Sequence, residues 1–109
     1  LTHGTHRSGL VVPVAEIAAM AKAAGAAVLV DCAQSFRQRP FLIPDFGADY
    51  VVLNFHKWVG APVGIAGYWC RPGMAALIAP APSEADAAPG DVQAKVHQGT
   101  VDYAPQLTL

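Results

Sequence analysis

Two residues in this sequence have the types and placement for covalent work on a carbonyl compound. Asp31 closes the apolar run Ala26-Ala27-Val28-Leu29-Val30, and Lys57 follows the run Asp49-Tyr50-Val51-Val52-Leu53 through Asn54-Phe55-His56. A lysine amine can form a Schiff base with a carbonyl cofactor. A carboxylate can hold a pyridine nitrogen protonated, so that the ring accepts electrons. Gln34 follows Asp31 closely, and a third polar group, Thr2-His3-Gly4-Thr5-His6, stands near the start. In open α/β sheets ligands bind in the crevice beyond the carboxyl ends of the strands. If the two runs lie parallel in one sheet, Asp31 and Lys57 open into the same crevice.

Each residue also has a plainer reading. Lys57 alone reads as a solvated surface lysine, Asp31 as the cap of the next turn, and His56 as a structural histidine. His3 and His6 are close in sequence, but no carboxylate or cysteine accompanies them at ligand spacing, so no metal site is expected. Cys32 and Cys70 read as buried, inert thiols. Trp58 and Trp69 are expected to pack against the sheet, with Trp58 also able to line a substrate pocket or a subunit contact.

The elements that must carry these groups are legible in the spacing. Pro13 suits a first helical turn. Val14, Ile17, Ala18 and Ala21 then follow one buried helical stripe, and Gly25 is the expected stop. The continuous apolar run at 26–30 predicts a central parallel strand buried on both faces. Residues 32–47 read as polar and irregular, with Pro40 and Pro44 breaking any long helix. A second strand is expected at 49–53, and the intervening residues are enough for a parallel crossover. A third strand, 64–70, follows so closely across Gly60-Ala61-Pro62 that it must return antiparallel. Beyond it come a short helix at 74–78, a mobile surface loop at 79–90, and a final helix at 103–109 capped by Asp102.

Composition narrows the function classes. A chain of 109 residues is one domain at most. Its formal charge of −1, from 7 Lys+Arg and 8 Asp+Glu, excludes a nucleic-acid binder working through a basic face. No apolar stretch approaches the roughly 18 residues of a membrane helix, and no signal-peptide pattern precedes Leu1. A cytoplasmic protein without a membrane or nucleic-acid partner is expected. Two cysteines make no disulfide framework. Charged residues are 14% of the chain, against an average of about 25%. That is too few to cover a small free-standing domain. The chain is therefore expected to be a piece of a longer protein, as its abrupt ends also suggest.

The segments Val30-Asp31-Cys32-Ala33-Gln34-Ser35, Gly47-Ala48-Asp49-Tyr50 and His56-Lys57-Trp58-Val59-Gly60-Ala61-Pro62 together resemble the class V aminotransferase family of fold type I pyridoxal-phosphate enzymes. Within it, the pattern looks most like the isopenicillin N epimerase-like branch, close to the cysteine desulfurases. Thr5-His6-Arg7-Ser8-Gly9-Leu10-Val11-Val12-Pro13-Val14 and His97-Gln98-Gly99-Thr100-Val101-Asp102 match that branch too.

The resemblance implies a fold: residues 1–109 as part of the mostly parallel sheet of such an enzyme's large domain, with one antiparallel strand after the lysine. It implies pyridoxal 5′-phosphate as cofactor, an amino acid as substrate and a homodimer. It also implies roles. Lys57 matches the Schiff-base lysine, Asp31 the partner of the pyridine nitrogen, and Gln34 the donor to the ring's phenolic oxygen. His56 matches a phosphate contact, and Gly99 and Thr100 a loop reaching the phosphate of the neighbouring subunit. Thr5 and Asn54 stand at further cofactor positions, where desulfurases carry asparagine and serine. Kynureninases have Tyr-Lys in place of His56-Lys57, which argues against that activity. Transamination, epimerisation and side-chain elimination all stay open. So does a second class: a non-catalytic α/β scaffold, or a fragment inactive alone.

Overall fold

A computed structural model of the chain describes residues 1–84, 86–88, 91, 93–96 and 102–108. Helix α1 runs Val14–Ala23, with Glu16 in its first turn and Lys22 in its last, each at the end where its charge complements the helix dipole. It stops as the sequence demands. Gly25 takes φ +82°, which lets its N–H reach Lys22 O (2.9 Å) and the Ala26 N–H reach Ala21 O (3.0 Å). These bonds satisfy two of the carbonyls a helix end leaves unpaired. Val14 and Ala18 are buried on the expected stripe, and Ile17 and Ala21 are half-buried beside them.

Strands β1 (Leu29–Asp31), β2 (Tyr50–Asn54) and β3 (Ala66–Cys70) form one sheet in that order. β1 pairs parallel with β2, placing Val30 opposite Val51 and Asp31 opposite Val52. β3 returns antiparallel, with Trp69 opposite Val51. On the other edge of β1, Thr2 bridges Asp31 in parallel. The His3 N–H donates to Asp31 O at 2.9 Å, and the Asp31 N–H to Leu1 O at 2.8 Å. β2 is therefore the middle strand, and β1, expected to be central, lies at the edge of the three with only this bridge beyond it among the described residues. The architecture is the expected α/β with an antiparallel third strand.

Burial of the first run on both faces does not hold. Val28, Val30 and Cys32 are buried, yet Leu29 is 44% exposed and Ala26 and Ala27 are exposed. Side chains alternate across a strand, and only one face meets a layer. That face carries the core of Val14, Ala18, Val28, Val30, Cys32, Phe46, Ala48 and Val51. Burying each such valine is worth about 1.5–3 kcal/mol.

The crossover is irregular as expected, with a 3-10 helix at Ile43–Phe46, but it is not merely polar. His3 meets the ring of Phe46 edge-on at 4.8 Å and that of Phe41 at 5.2 Å. Phe36 lies 5.7 Å from Phe55. Phe55 in turn lies over Gly67, where a Cβ would fall 2.7 Å from its Cζ. Downstream, the two expected short helices are tighter than expected, Met74–Leu77 and Ala104–Thr108 both being 3-10 turns, and the stretch expected as a loop holds a 3-10 turn at Pro82–Glu84. Asp102 does cap the last, its Oδ1 accepting the Ala104 N–H at 2.9 Å. A further one-turn helix, α2, spans Gln93–Val96. Gly99 and Thr100 lie outside the described residues.

One anchor was not foreseen. Asp49 is buried just before β2, and its Oδ2 accepts the Val28 N–H at 2.9 Å. Its Oδ1 accepts from Arg71 Nε (3.0 Å) and Nη2 (2.8 Å) and lies 3.4 Å from Lys22 Nζ. The Val28 N–H, then the Arg71 guanidinium, hold its carboxyl below the ordinary value, outweighing burial. One carboxylate thus ties the end of α1, the entry to β1 and the exit of β3.

Candidate functional site

The parallel pairing of β1 and β2 brings their carboxyl ends to the same edge. A cleft of about 310 Å³ opens there. Asp31, Ala33, Gln34 and Lys57 line it from the strand ends, and Thr2, Gly4, Thr5 and His6 line it from the amino-terminal ribbon. All eight lie on the three polar segments that the sequence marks, 2–6, 31–34 and 54–57, and four of them (Thr5, Asp31, Gln34 and Lys57) are among the expected site residues. Thr2, Gly4 and His6 join Thr5 from the polar stretch at 2–6, whose clustering was the only signal for them.

The polar groups in the cleft have capacity to spare. Asp31 Oδ1 accepts the Ala33 N–H at 2.8 Å, so the residue does cap its turn. Its other carboxylate oxygen has no partner among the described residues. Lys57 is exposed and has no ion pair among them, with Asp31 or any other acid. A cation and an anion facing one cleft without meeting can each take a separate edge of a ligand. Gln34 Oε1 accepts from the indole Nε1 of Trp58 at 3.3 Å, which leaves the amide N–H groups of Gln34 as donors.

Asn54 and His56 sit differently. Neither is among the residues lining the cleft. Asn54 Oδ1 accepts the His56 N–H at 3.1 Å, which shapes the turn carrying Lys57. His56 Nδ1 is buried with no hydrogen-bond partner among the described residues. Buried polar atoms are nearly always satisfied, so this nitrogen fits a site that takes an anionic or hydroxylic group from outside the chain.

The remaining candidates are structural here. His3 Nδ1 contacts Ser35 Oγ at 2.9 Å, and burial, then the charge of Arg39, lowers its basicity. Cys32 is fully buried and its thiol is pushed up by that burial, which disfavours the reactive thiolate. A second concavity of similar volume is lined by residues 36–41. It holds Arg37 and Arg39 but no carboxylate facing an amine, so the strand-end cleft is the better site. Pyridoxal phosphate fits the donor set of that cleft: an amine for its aldehyde, a free carboxylate oxygen for its ring nitrogen, and amide donors for its phenolic oxygen.

Comparison with known proteins agrees with this geometry. The family model for aminotransferase class-V matches residues 1–87. A cysteine desulfurase of Haloferax volcanii is 40% identical over 65 residues, covering 60% of this chain and 15% of that protein. A protein of Oryza sativa subsp. japonica named as a candidate L-cysteine desulfhydrase is 36% identical over 67 residues, or 61% of this chain and 14% of that one. The apo structure of a cysteine desulfurase from Thermococcus onnurineus NA1 superposes with a TM-score of 0.63 at 28% identity, over 68% of this chain and 18% of that chain. The matched segment is thus about one seventh of the curated relatives' length. Strand-end cleft, sheet topology and sequence agree: the chain belongs to the class-V aminotransferase family.

Proposed function

We propose that this chain is part of the large domain of a pyridoxal-phosphate enzyme acting on an amino acid, with Lys57 as its Schiff-base lysine. The observation that carries the reading is the placement of Asp31 and Lys57, from adjacent parallel strand ends, around one cleft without an ion pair between them. When bound, the cofactor supplies an electron-accepting ring that stabilises negative charge at an amino acid's α-carbon. Lys57 holds the cofactor's aldehyde, and with its amine free it is the base that moves a proton at that α-carbon. Asp31, through its unpartnered oxygen, keeps the pyridine nitrogen protonated. Gln34 donates its amide N–H to the phenolic oxygen, and Thr5 closes the opposite wall. Asn54 fixes the turn before Lys57, and the orphaned His56 Nδ1 is the group available to a phosphate oxygen. Gly99 and Thr100 would reach the cofactor phosphate of a second subunit in a homodimer.

The names of the relatives make cysteine the first substrate to assay, with loss of its sulfur as the outcome to look for. The epimerase-like motifs make racemisation of an amino acid the second. Because the matched segment is about one seventh of those relatives, the 109 residues by themselves are expected to show no turnover. The test is the visible absorbance of the whole protein with cofactor, against a Lys57→Ala variant. Loss of the band in the variant supports the role of Lys57, and an unchanged band removes it.

A further inference from the structure

We infer that Trp58 is a positioning residue, which fixes the side-chain amide of Gln34 so that its N–H groups, not its oxygen, face the cleft. The inference rests on the cofactor reading above and adds to it a residue outside the cleft wall. Trp58 is not among the residues lining the cleft, and its side chain is half exposed at 50%. Among the described residues its side chain has one hydrogen bond to a cleft residue, that from Nε1 to Gln34 Oε1 at 3.3 Å.

The chemistry of the pair makes the orientation one-way. An indole N–H can only donate, whereas a glutamine amide carries an acceptor oxygen and a donor NH2 and can present either. With the indole on one side, the amide oxygen must turn to it. The two N–H donors are then what Gln34 offers the cleft it lines. A phenolic oxygen that carries negative charge needs a donor there, and the flipped amide would set an oxygen against it. The next residue after Lys57 thereby decides the polarity of a group 24 positions earlier in the chain.

A donor to the phenolic oxygen favours its anionic form, so the lysine nitrogen bound nearby releases its proton at lower pH. Loosening that donor raises the midpoint. In the whole protein loaded with pyridoxal phosphate, Trp58→Phe keeps the ring and deletes the N–H. The pH midpoint of the visible absorption is expected to rise by about half a unit, the size of one modest hydrogen bond. In a Gln34→Ala background the same substitution is expected to add nothing, because the two residues act as one unit.

An unmoved midpoint in Trp58→Phe, in a protein whose band is lost in Lys57→Ala, overturns the positioning role while the cofactor reading stands. Absence of any band in the unaltered protein overturns both. A cofactor-free readout covers the case of a variant that does not fold. In the unaltered protein, NMR should show a through-space signal between the Trp58 indole proton and the Gln34 side chain, and its absence also overturns the proposal.

Discussion

Removing the Asp49 carboxylate should loosen the whole sheet, and the cost can be worked from its contacts. Asp49→Ala leaves the buried Val28 N–H without an acceptor, which costs about 1–3 kcal/mol. The pairs with Arg71 and Lys22 are worth less. Those side chains are 46% and 36% exposed and recover water when released, so each contributes about 0–1 kcal/mol. The sum is about 3 kcal/mol. Asp49→Asn keeps an oxygen for Val28 and turns its NH2 toward the exposed Arg71, so about 1 kcal/mol is expected. The assay is amide hydrogen exchange at Val30, Val51 and Val52, which reads local opening inside the whole protein. Exchange should be roughly 150-fold faster in the alanine variant and about fivefold faster in the asparagine variant. The pH dependence has a fixed sign. Asp49's folded pKa lies below the ordinary 3.8, so its contribution is complete above that value and is lost as pH falls through the folded one. The gap between the unaltered protein and Asp49→Asn should therefore close in strong acid. Exchange within threefold of the unaltered protein in Asp49→Ala at neutral pH would refute the account of Asp49 as the sheet's anchor.

Two further perturbations probe the edges of the site. Arg37 has φ +66°, the one non-glycine residue with positive φ among those described, a conformation that costs a side chain about 1–2 kcal/mol. Arg37→Gly should therefore raise local stability by roughly 1 kcal/mol after glycine's own entropy cost, and faster exchange of the 32–39 turn amides would contradict this. His3 is harder to protonate folded than unfolded, because of burial and Arg39. Its contribution is then full above about 6.5 and is lost as pH falls below that value. Exchange at Val12, whose N–H donates to His3 O at 2.9 Å, should quicken relative to its intrinsic rate as pH falls below about 6.5, and a His3→Phe variant should abolish that dependence.

Why was the cleft legible when the groups that organise it were not? Asp31 and Lys57 could be placed because strand ends are set by where an apolar run stops. Parallel pairing then forces those ends together, given a crossover long enough. The return of β3 followed from a loop too short for anything else. These are constraints of backbone reach, and they act along the chain. Burial of Leu29 is different in kind: its exposure depends on what packs against that face of the sheet, which no local pattern encodes. Asp49 and Phe46 were equally hidden. Asp49 looks like a polar residue before a strand until Val28, Lys22 and Arg71 are seen around it. The rings of Phe36 and Phe41 sit on irregular backbone and that of Phe46 on a four-residue 3-10 helix, which gives them no period to read.

The same distinction decides how far function can be read. Which residue types reach the cleft is a matter of topology, and the sequence carries it. Which atom each presents is a matter of side-chain partners distant in the chain. Asp31 spends one oxygen on Ala33 and keeps one for a ligand. Gln34 spends its oxygen on Trp58 and keeps its donors. A cleft with an amine, one free carboxylate oxygen and a committed amide donor is asymmetric, and on the proposed reading it would favour one orientation of a heteroaromatic aldehyde. That orientation matters for the proposed chemistry, in which the lysine would meet the aldehyde while the acid would meet the ring nitrogen across from it. The discrimination is therefore not in Lys57 itself. It rests on the partners that hold the other two groups to a single polarity.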